Sequence, residues 1–410
     1  MNLSPDLLPE SCDVLVIGAG PAGSAAAMLL ARGGLDVVVV DQHCFPREKV
    51  CGDGLIPDAH RALRRLGVFD EVMAQAVHCS HVTCVGTRGQ AIDVPGSLAV
   101  LPRRELDQLL LRNAVAAGAR MFAPLRLLAP IESHGEVVGA RLAQGEREHS
   151  VRARWVLLAT GAVPQGLMVA GMSTRQSPSG VAMRGYVKNE AMVGRIDRLQ
   201  IVWHRALAGG YGWIFPCPDG VFNIGVCTMD AQPSLRSGRA RRSPNLRHLM
   251  DEFVRVHAPA RELMAGGSLL GTMKGAPLRT TLNGARFGRP GLMVIGEAAG
   301  TTYSLTGEGI GKAMESAIGA AELLLKGREA GICDDDVLRQ YEALLSALRP
   351  QFQLYERANL VNRHPWITDL MIWRARRSPW LLSKMSGALE ETTNPGKLLT
   401  LRGLWRALTA

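Results

Sequence analysis

Short runs of apolar residues, each followed within two positions by a glycine or a polar residue, recur at four places along the chain. They occupy residues 14–17, 37–40, 155–158 and 292–295. A run of about four apolar residues between turn signals is typical of a strand that is buried on both faces, and such strands form parallel sheets. The pattern therefore predicts an α/β fold with one parallel sheet, and a ligand bound where its strands end.

The region 164–286 has a different pattern, in which apolar and polar residues alternate and glycine or proline marks the turns. Segments 181–186 and 220–226 show this alternation, which is typical of antiparallel strands with one covered face. We predict that residues 164–286 and 76–97 form an antiparallel substrate domain that covers the ligand. It would be inserted into a discontinuous Rossmann-like nucleotide-binding domain of residues 1–75, 98–163 and 287–330.

The last part of the chain, residues 331–410, is predicted to be a C-terminal helical region. From Tyr355 onward it carries nine Lys and Arg against four Asp and Glu, and it holds four of the seven tryptophans. Basic helices rich in tryptophan can lie on a membrane surface, and they can equally form a packed cap with solvated arginines. We expect the tail from about Tyr355 to be dispensable for nucleotide binding, because all nucleotide motifs precede it. We expect it to be needed for delivery of the substrate, from a membrane or from a partner protein.

The first apolar run leads into the motif Gly-x-Gly-x-x-Gly. Glycines at these positions allow a tight turn, a close approach of the backbone to a pyrophosphate and close packing of the next helix. The N-terminus of that helix can bind phosphate through its N–H groups. An acid ends the second apolar run, where it can accept hydrogen bonds from ribose hydroxyls. The expected nucleotide contacts are Gly18, Gly20, Ala22, Gly23 and Asp41.

Composition and charge exclude several classes of protein. The chain is 47% hydrophobic and 20% charged, as soluble globular enzymes are, and it shows no export signal and no apolar stretch of membrane-spanning length, so we expect a cytoplasmic protein. The net charge is +10, but no nucleic-acid module interleaves basic and aromatic residues. The densest basic cluster lies among Ser, Gly, Pro and Asn, which indicates a solvated loop. It contains Arg236, Arg239, Arg241, Arg242 and Arg247.

Cysteine and histidine usage predicts reduced thiols and no metal site. The eight cysteines have no regular spacing. His78, Cys79, His81 and Cys84 alternate as on a strand, and no second cluster accompanies them.

Four landmarks resemble the geranylgeranyl reductase family of FAD-dependent oxidoreductases, in the fold group of para-hydroxybenzoate hydroxylase and the flavin-dependent halogenases. They are the nucleotide motif, the segment 45–55 (FPREKVCGDGL), the segment 210–216 (GYGWIFP), and 296–300 (GEAAG) followed by 305–311 (LTGEGIG). The family more often has Glu where this chain has Asp41, and usually Asp where it has Glu297. The extra methylene of Glu297 affects the local geometry rather than the identity of the cofactor.

The resemblance implies non-covalent FAD and assigns roles to residues beyond the nucleotide motif. Cys51 and Glu308 are the expected catalytic residues, and Arg47 and Lys49 would favour the Cys51 thiolate. The remaining expected cofactor contacts are Arg47, Arg104, Gly161, Glu297, Gly307, Gly309, Ile310 and Gly311.

Aromatic residues in the region 164–286 predict an apolar substrate cavity. Tyr211, Trp213 and Phe215 alternate, so they point to one face of a strand and can form an aromatic wall. Trp203 and Tyr186 would extend the wall, and Arg184 would supply a polar anchor.

These features together predict an FAD-dependent reductase of carbon–carbon double bonds in a prenyl, lipid or polyketide-like substrate. A monooxygenase or halogenase that acts on an aromatic or carrier-bound intermediate is the alternative, with Lys49 and Lys274 as candidates for the lysine that halogenases need. A non-catalytic flavoprotein partner in a complex is a third. Only one nucleotide motif occurs, so the electron donor is NAD(P)H or a separate reductase.

Overall fold

A computed structural model describes residues 2–175, 177–229 and 245–395 of the chain, and its strands form two sheets. The strands are β1 (Ser11–Ile17), β2 (Val37–Val40), β3 (Gly54–Leu55), β4 (Val77–Val85), β5 (Ala91–Val100), β6 (Arg120–Phe122), β7 (Arg126–Ser133), β8 (Glu136–Gln144), β9 (Arg147–Leu158), β10 (Gly180–Lys188), β11 (Leu199–Val202), β12 (Gly210–Pro216), β13 (Val221–Thr228), β14 (Ser268–Leu278), β15 (Gly288–Arg289) and β16 (Leu292–Val294). The helices are α1 (Pro21–Arg32), α2 (Pro57–Leu66), α3 (Phe69–Met73), α4 (Arg103–Ala116), α5 (Gln165–Val169), α6 (Leu246–Val256), α7 (Ala258–Gly266), α8 (Ile310–Ala330), α9 (Asp334–Ala358), α10 (Leu360–Arg363), α11 (Trp366–Ala375) and α12 (Pro379–Leu389).

The first sheet has a parallel centre with the order β16-β9-β1-β2-β6. Its strands are fully buried where the four apolar runs lie, and α1, α4 and α8 cover it. Antiparallel strands β7, β8 and β15 extend it. The parallel strands end at one edge, so the loops that follow them converge there.

The turn between β1 and α1 depends on two glycines. Gly18 has φ +107°, a conformation that residues with a Cβ rarely adopt. A Cβ on Gly23 would overlap the carbonyl oxygen of Gly18. Both positions therefore bring helix and strand into the close packing that the motif predicted.

The second sheet has the order β14-β10-β13-β12-β11-β4-β5-β3. It is antiparallel as predicted except at one pair, because β11 runs parallel to β4. These two strands are remote in the sequence, so no hairpin fixes their relative direction. Strand β5 extends to Val100, beyond the predicted boundary at residue 97.

The C-terminal helices pack into the body of the molecule. Tyr355 on α9 is 2% exposed and its ring stacks on Tyr303 at a centroid distance of 3.8 Å. Asn362 donates to the carbonyl of Leu305 and accepts from the indole of Trp203. Tyr355 and the helices after it therefore pack against both sheets, which is a physical reason to expect that nucleotide binding depends on them.

The predicted α/β fold, with a second sheet and C-terminal helices, is confirmed. No helix among the described residues has the length and apolar composition that crossing a membrane requires. Trp405 and most of the basic cluster, namely Arg236, Arg239, Arg241 and Arg242, lie outside the described residues, and Arg247 is exposed at the start of α6.

Candidate active site

A cavity of about 900 Å³ lies at the edge where the parallel strands end and extends under the second sheet. The loops after β1, β2, β9 and β16 supply one end of it, through Gly18, Asp41, Gly161 and Glu297 among others. The other end is apolar and is formed by the second sheet and the C-terminal helices. One cavity thus joins the predicted nucleotide site to the predicted substrate site.

Gly20 leaves an opening at the mouth of the nucleotide end. A Cβ there would meet only two guanidinium groups, Nη2 of Arg47 at 3.4 Å and Nη2 of Arg103 at 3.8 Å. Ala22 also lines the cavity, whereas Gly23 lies beneath the turn. An open backbone flanked by two cations at a helix N-terminus suits a pyrophosphate.

Asp41 is 7% exposed and organises the loop around this opening. Its carboxylate accepts hydrogen bonds from the backbone N–H groups of Ala19 and His43, both at 2.9 Å. The side chain lines the cavity, in the place expected of an acid that binds ribose hydroxyls. Asp41 is shorter than the Glu that the family more often has, and its carboxylate bonds directly to the backbone of the glycine-rich loop.

The arginine of α4 that lines the cavity is Arg103, and this corrects our assignment of Arg104. Arg104 is exposed and lies outside the cavity wall, because it follows Arg103 on the helix and points to another face. Arg103 donates two hydrogen bonds, of 2.7 and 2.8 Å, to Asp107 one turn later, which also pairs with Arg47 at 3.2 Å. The i, i+4 spacing of Arg103 and Asp107 was a signal that sequence reasoning missed.

The turn after β16 and the start of α8 form the opposite wall. Glu297, Gly307, Gly309 and Ile310 line the cavity, and Gly307 has φ +70°. Gly311 does not reach it, since its Cα faces the carboxyl group of Asp58 so closely that a Cβ would overlap it. Gly311 therefore allows close packing of α8 on α2, and its predicted cofactor contact stays a prediction.

Cys51 lies on the segment that crosses the middle of the cavity. Burial raises the pKa of its thiol, and Arg103 opposes this only in part, so the thiol is protonated near neutral pH. The expected activation by Arg47 and Lys49 is not supported, because desolvation is the larger effect. The backbone N–H of Asp53 donates to its sulfur at 3.3 Å.

Asp53 is fully buried and fixes this segment from behind. It has φ 66°, and its carboxylate accepts from the Tyr186 hydroxyl at 2.6 Å and from the Asn223 amide at 2.7 Å. Asn223 also donates to the carbonyl of Cys51 at 2.8 Å and accepts from the indole of Trp213 at 2.9 Å. Burial raises the pKa of Asp53 to about 6, against the lowering effect of these donors.

Arg184 and Tyr186 belong to this supporting network and not to the cavity wall, which corrects their assignment to substrate. Arg184 is 2% exposed, pairs with Glu48 at 2.7 Å, and lies over the Tyr186 ring at 4.0 Å. The Arg184 Nη2 donates to Glu48 and to the carbonyl of Lys49, and the Tyr186 hydroxyl donates to Asp53, so both side chains support the segment 48–53.

The predicted aromatic wall lines the cavity as a continuous row. Neighbouring ring centroids of Trp203, Tyr211, Trp213 and Phe215 are 5.9, 6.3 and 6.5 Å apart. Tyr211 donates to the carbonyl of Thr306, which ties the row to the start of α8. Sequence reasoning missed the far apolar wall, which α11 and α12 supply through Met371, Ile372, Met385 and Leu389.

Glu308 faces the cavity beside this row. Burial raises the pKa of its carboxyl group to about 8, and the nearby carboxyl groups of Asp58 and Glu391 contribute. Asp58 is 1% exposed, and burial raises its pKa to about 7. Lys312 joins the cluster, with its ammonium 2.8 Å from Glu391 and 3.8 Å from Asp58. Glu308 is therefore a carboxylic acid that can hold a proton at neutral pH.

These features fit a flavin dinucleotide. The opening at Gly20 and its two arginines match a pyrophosphate, and Thr160 has a buried hydroxyl without a hydrogen-bond partner among the described residues. FAD would be held by the glycine turn, Asp41 and the start of α8. The described residues contain no group of three or more His, Cys, Asp or Glu side chains suited to a metal ion.

Comparisons with known proteins identify an FAD-binding domain and related reductases. Residues 11–194 match the model of the FAD binding domain family. A menaquinone reductase of Mycolicibacterium smegmatis is 33% identical over 331 residues, which are 77% of this chain and 76% of the relative. Digeranylgeranylglycerophospholipid reductase 1 of Methanopyrus kandleri is 28% identical over 80% of this chain and 84% of the relative.

Two solved structures show the same fold. A geranylgeranyl bacteriochlorophyll reductase-like protein of Thermoplasma acidophilum superposes with a TM-score of 0.71 at 22% identity, over 98% of this chain and 96% of that one. A flavin-dependent brominase superposes with a TM-score of 0.74 at 19% identity, over 97% and 98% of the two chains. With these relatives, the chain belongs to the geranylgeranyl reductase family of FAD-dependent oxidoreductases.

Proposed function

We propose that this oxidoreductase saturates carbon–carbon double bonds in an apolar, prenyl-like substrate. The observation that carries the proposal is the cavity, in which an aromatic row continues from the flavin site into an apolar space under the C-terminal helices. A cavity with few polar groups selects an apolar ligand. The names of the menaquinone reductase and the digeranylgeranylglycerophospholipid reductase support the same reaction class.

Reduction of a double bond requires a hydride and a proton, and the cavity offers a source for each. Bound FAD supplies hydride transfer. Glu308 supplies the proton, since its raised pKa keeps its carboxyl group protonated near neutral pH. Hydride and proton add to the two carbons of the double bond, so the product gains two hydrogens. The neutral Cys51 thiol lies beside the same space and is the second candidate donor.

Electrons would reach the flavin from outside the chain. Because the sequence holds one nucleotide motif, we propose NAD(P)H bound transiently, or a separate reductase protein, as the donor. Stopped-flow reduction of the bound flavin by NADH, NADPH or a ferredoxin-type reductase distinguishes these sources. If NADH or NADPH alone rapidly bleaches the flavin absorbance, the protein does not need a partner reductase.

Anaerobic turnover tests the reaction. Chemically reduced holoprotein is mixed with a geranylgeranyl alcohol or a menaquinone, and we expect flavin reoxidation together with a product that has gained two hydrogens, measured by mass spectrometry. The monooxygenase or halogenase alternative predicts a different result. The reduced flavin would not be reoxidised under anaerobic conditions, and an aromatic substrate would give a product only when oxygen, or oxygen with halide, is added. Lys49 lines the cavity and would be the residue to test in that case.

We further propose a cytoplasmic protein that associates peripherally with a membrane or a partner protein through its C-terminal region. An apolar substrate is poorly soluble, so a donor must present it, either as a bilayer or as a carrier. We also propose that FAD is bound without a covalent link, which predicts that denaturation releases all of the yellow colour into the supernatant.

A further inference from the structure

Helix α11 has apolar residues on two opposite faces. Its inner face supplies Met371 and Ile372 to the cavity wall. Its outer face carries Trp366, Leu370 and Trp373, which are 58%, 40% and 51% exposed and follow one another at helical spacing. We call these three residues the outer stripe. Exposed apolar residues that form one contiguous stripe, rather than scattered single residues, indicate an interaction surface.

The exposed charges at the C-terminal end of the outer stripe are positive, while the one acid of the helix is bonded to the turn between β4 and β5. Asp369 is the single acid of the helix, and its carboxylate accepts from the backbone N–H of Thr87 and the amide of Gln90, both at 2.6 Å. Arg376 and Arg377 are exposed at the C-terminal end, and the Arg377 guanidinium lies 4.9 Å from the centre of the Trp373 ring. A partner that fits this surface offers an apolar region to the outer stripe and negative charge to the neighbouring arginines.

We propose that α11 docks the protein on an anionic lipid bilayer, with the outer stripe among the headgroups. Tryptophan prefers this interface, and arginines beside it are attracted by anionic lipids, each by about 1 kcal/mol. Three side chains cover far less than the roughly 800 Å² that a stable protein interface needs on each partner. Peripheral membrane binding needs only a few such residues.

The purpose of the docking rests on the proposed function. A prenyl substrate resides in the bilayer, and the helix that would touch the bilayer also forms part of the cavity wall. Substrate could therefore pass around α11 into the cavity without crossing water.

Flotation of the full-length holoprotein with vesicles tests the proposal. We expect binding to vesicles of phosphatidylcholine and phosphatidylglycerol, and weak binding to phosphatidylcholine alone. The variant Trp366→Ser with Trp373→Ser should lower the partition coefficient at least about tenfold, because two indoles no longer enter the interface. FAD content is measured in parallel to show that the variant is folded.

The pair Leu269→Ser with Leu270→Ser is the matched control. These leucines are 41% and 44% exposed on β14, at the opposite edge of the second sheet from the β5 end that α11 contacts. We expect the control to bind vesicles as the wild type does. Equal loss in both variants, equal binding to neutral and anionic vesicles, or full binding by the tryptophan variant overturns the proposal.

Two further measurements distinguish membrane docking from self-association of the chain and from the proposed reductase activity. If the wild type fails to float and the tryptophan variant changes the molecular mass in solution, the outer stripe is an interface between two copies and the proposal is wrong. Anaerobic reduction of a short prenyl alcohol dispersed in detergent does not require a bilayer. Turnover in detergent without flotation overturns the docking proposal and supports the proposed function. Flotation without turnover supports docking and contradicts the proposed function.

Discussion

At the scale of single residues, the sequence predicts groups that act locally and misses groups that act through distant partners. Gly18 was predictable because a tight turn between strand and helix dictates it, and Gly20 because the backbone there must approach a pyrophosphate closely. The role of Asp53 was not, since its partners Tyr186 and Asn223 lie 133 and 170 positions away in the chain. The same reason explains why Arg184 and Tyr186 were assigned to substrate.

Gly20 offers a test of the nucleotide site that leaves the fold intact. A side chain there enters the opening beside Arg47 and Arg103 without touching the backbone. We expect Gly20→Ala to weaken FAD binding about tenfold and Gly20→Val about 100-fold, because overpacking costs about 1–3 kcal/mol. Titration of the apoprotein with FAD measures this, and its melting temperature should not change. Gly23→Ala serves as the contrast, since it should lower the melting temperature; full FAD binding by Gly20→Val would contradict the site.

Glu308 should make folding stability depend on pH in a direction opposite to ordinary acids. Its folded pKa of about 8 lies above the unfolded value of 4.5, so stability falls as pH rises through this window. Glu308→Gln removes the effect. We expect apoprotein Glu308→Gln to be more stable than the wild type by about 4 kcal/mol at pH 8, and by only about 1 kcal/mol at pH 5. Urea unfolding at both pH values measures this; a variant that is less stable at pH 8 would show that Glu308 is ionised and favourably paired.

At the scale of elements, strand β12 shows how far periodicity reaches. Alternation correctly predicted that Tyr211, Trp213 and Phe215 share a face and line a cavity. It could not predict that the Trp213 indole also supports the segment with Cys51 through Asn223, because a hydrogen bond between strands depends on register. Trp213 therefore belongs both to the aromatic wall of the cavity and to the hydrogen-bond network that holds the segment with Cys51.

Substitutions of Trp213 should separate these two roles. Trp213→Phe keeps most of the wall and loses the hydrogen bond to Asn223, so we expect lower kcat with little change in KM. Trp213→Ala loses both, and we expect KM to rise by about tenfold in addition. Steady-state kinetics with a prenyl substrate measures the split. Phe215→Ala removes wall area and a packing contact with Gly52 but no hydrogen bond to Asn223, so it should change KM more than kcat. Identical kinetics in all three variants would place the row in the structural core.

At the scale of the whole molecule, the C-terminal helices close both the core and the cavity. The sequence indicated their helicity but not their placement, because an amphipathic pattern shows that one face is covered without showing by what. Tyr355 packs on Tyr303 and Asn362 bonds Trp203, so helices α9 to α12 join the second sheet to the flavin-binding half. Truncation should then affect the molecule as a unit.

A chain that ends before Tyr355 should lose FAD binding and cooperative unfolding together. Truncation exposes Tyr303 and removes the apolar wall that Ile372 and Leu389 contribute. A chain that ends at Pro395 is the matched control, since all cavity-lining residues within the described ranges are retained. We expect the longer chain to keep FAD and one sharp thermal transition. The shorter chain should bind little FAD, and it should melt broadly or at least about 10 °C lower. The reason is that loss of several buried aromatic and aliphatic side chains costs several kcal/mol. Normal FAD content and melting of the shorter chain would show that the flavin-binding half folds independently, and that the C-terminal helices serve only the substrate end of the cavity.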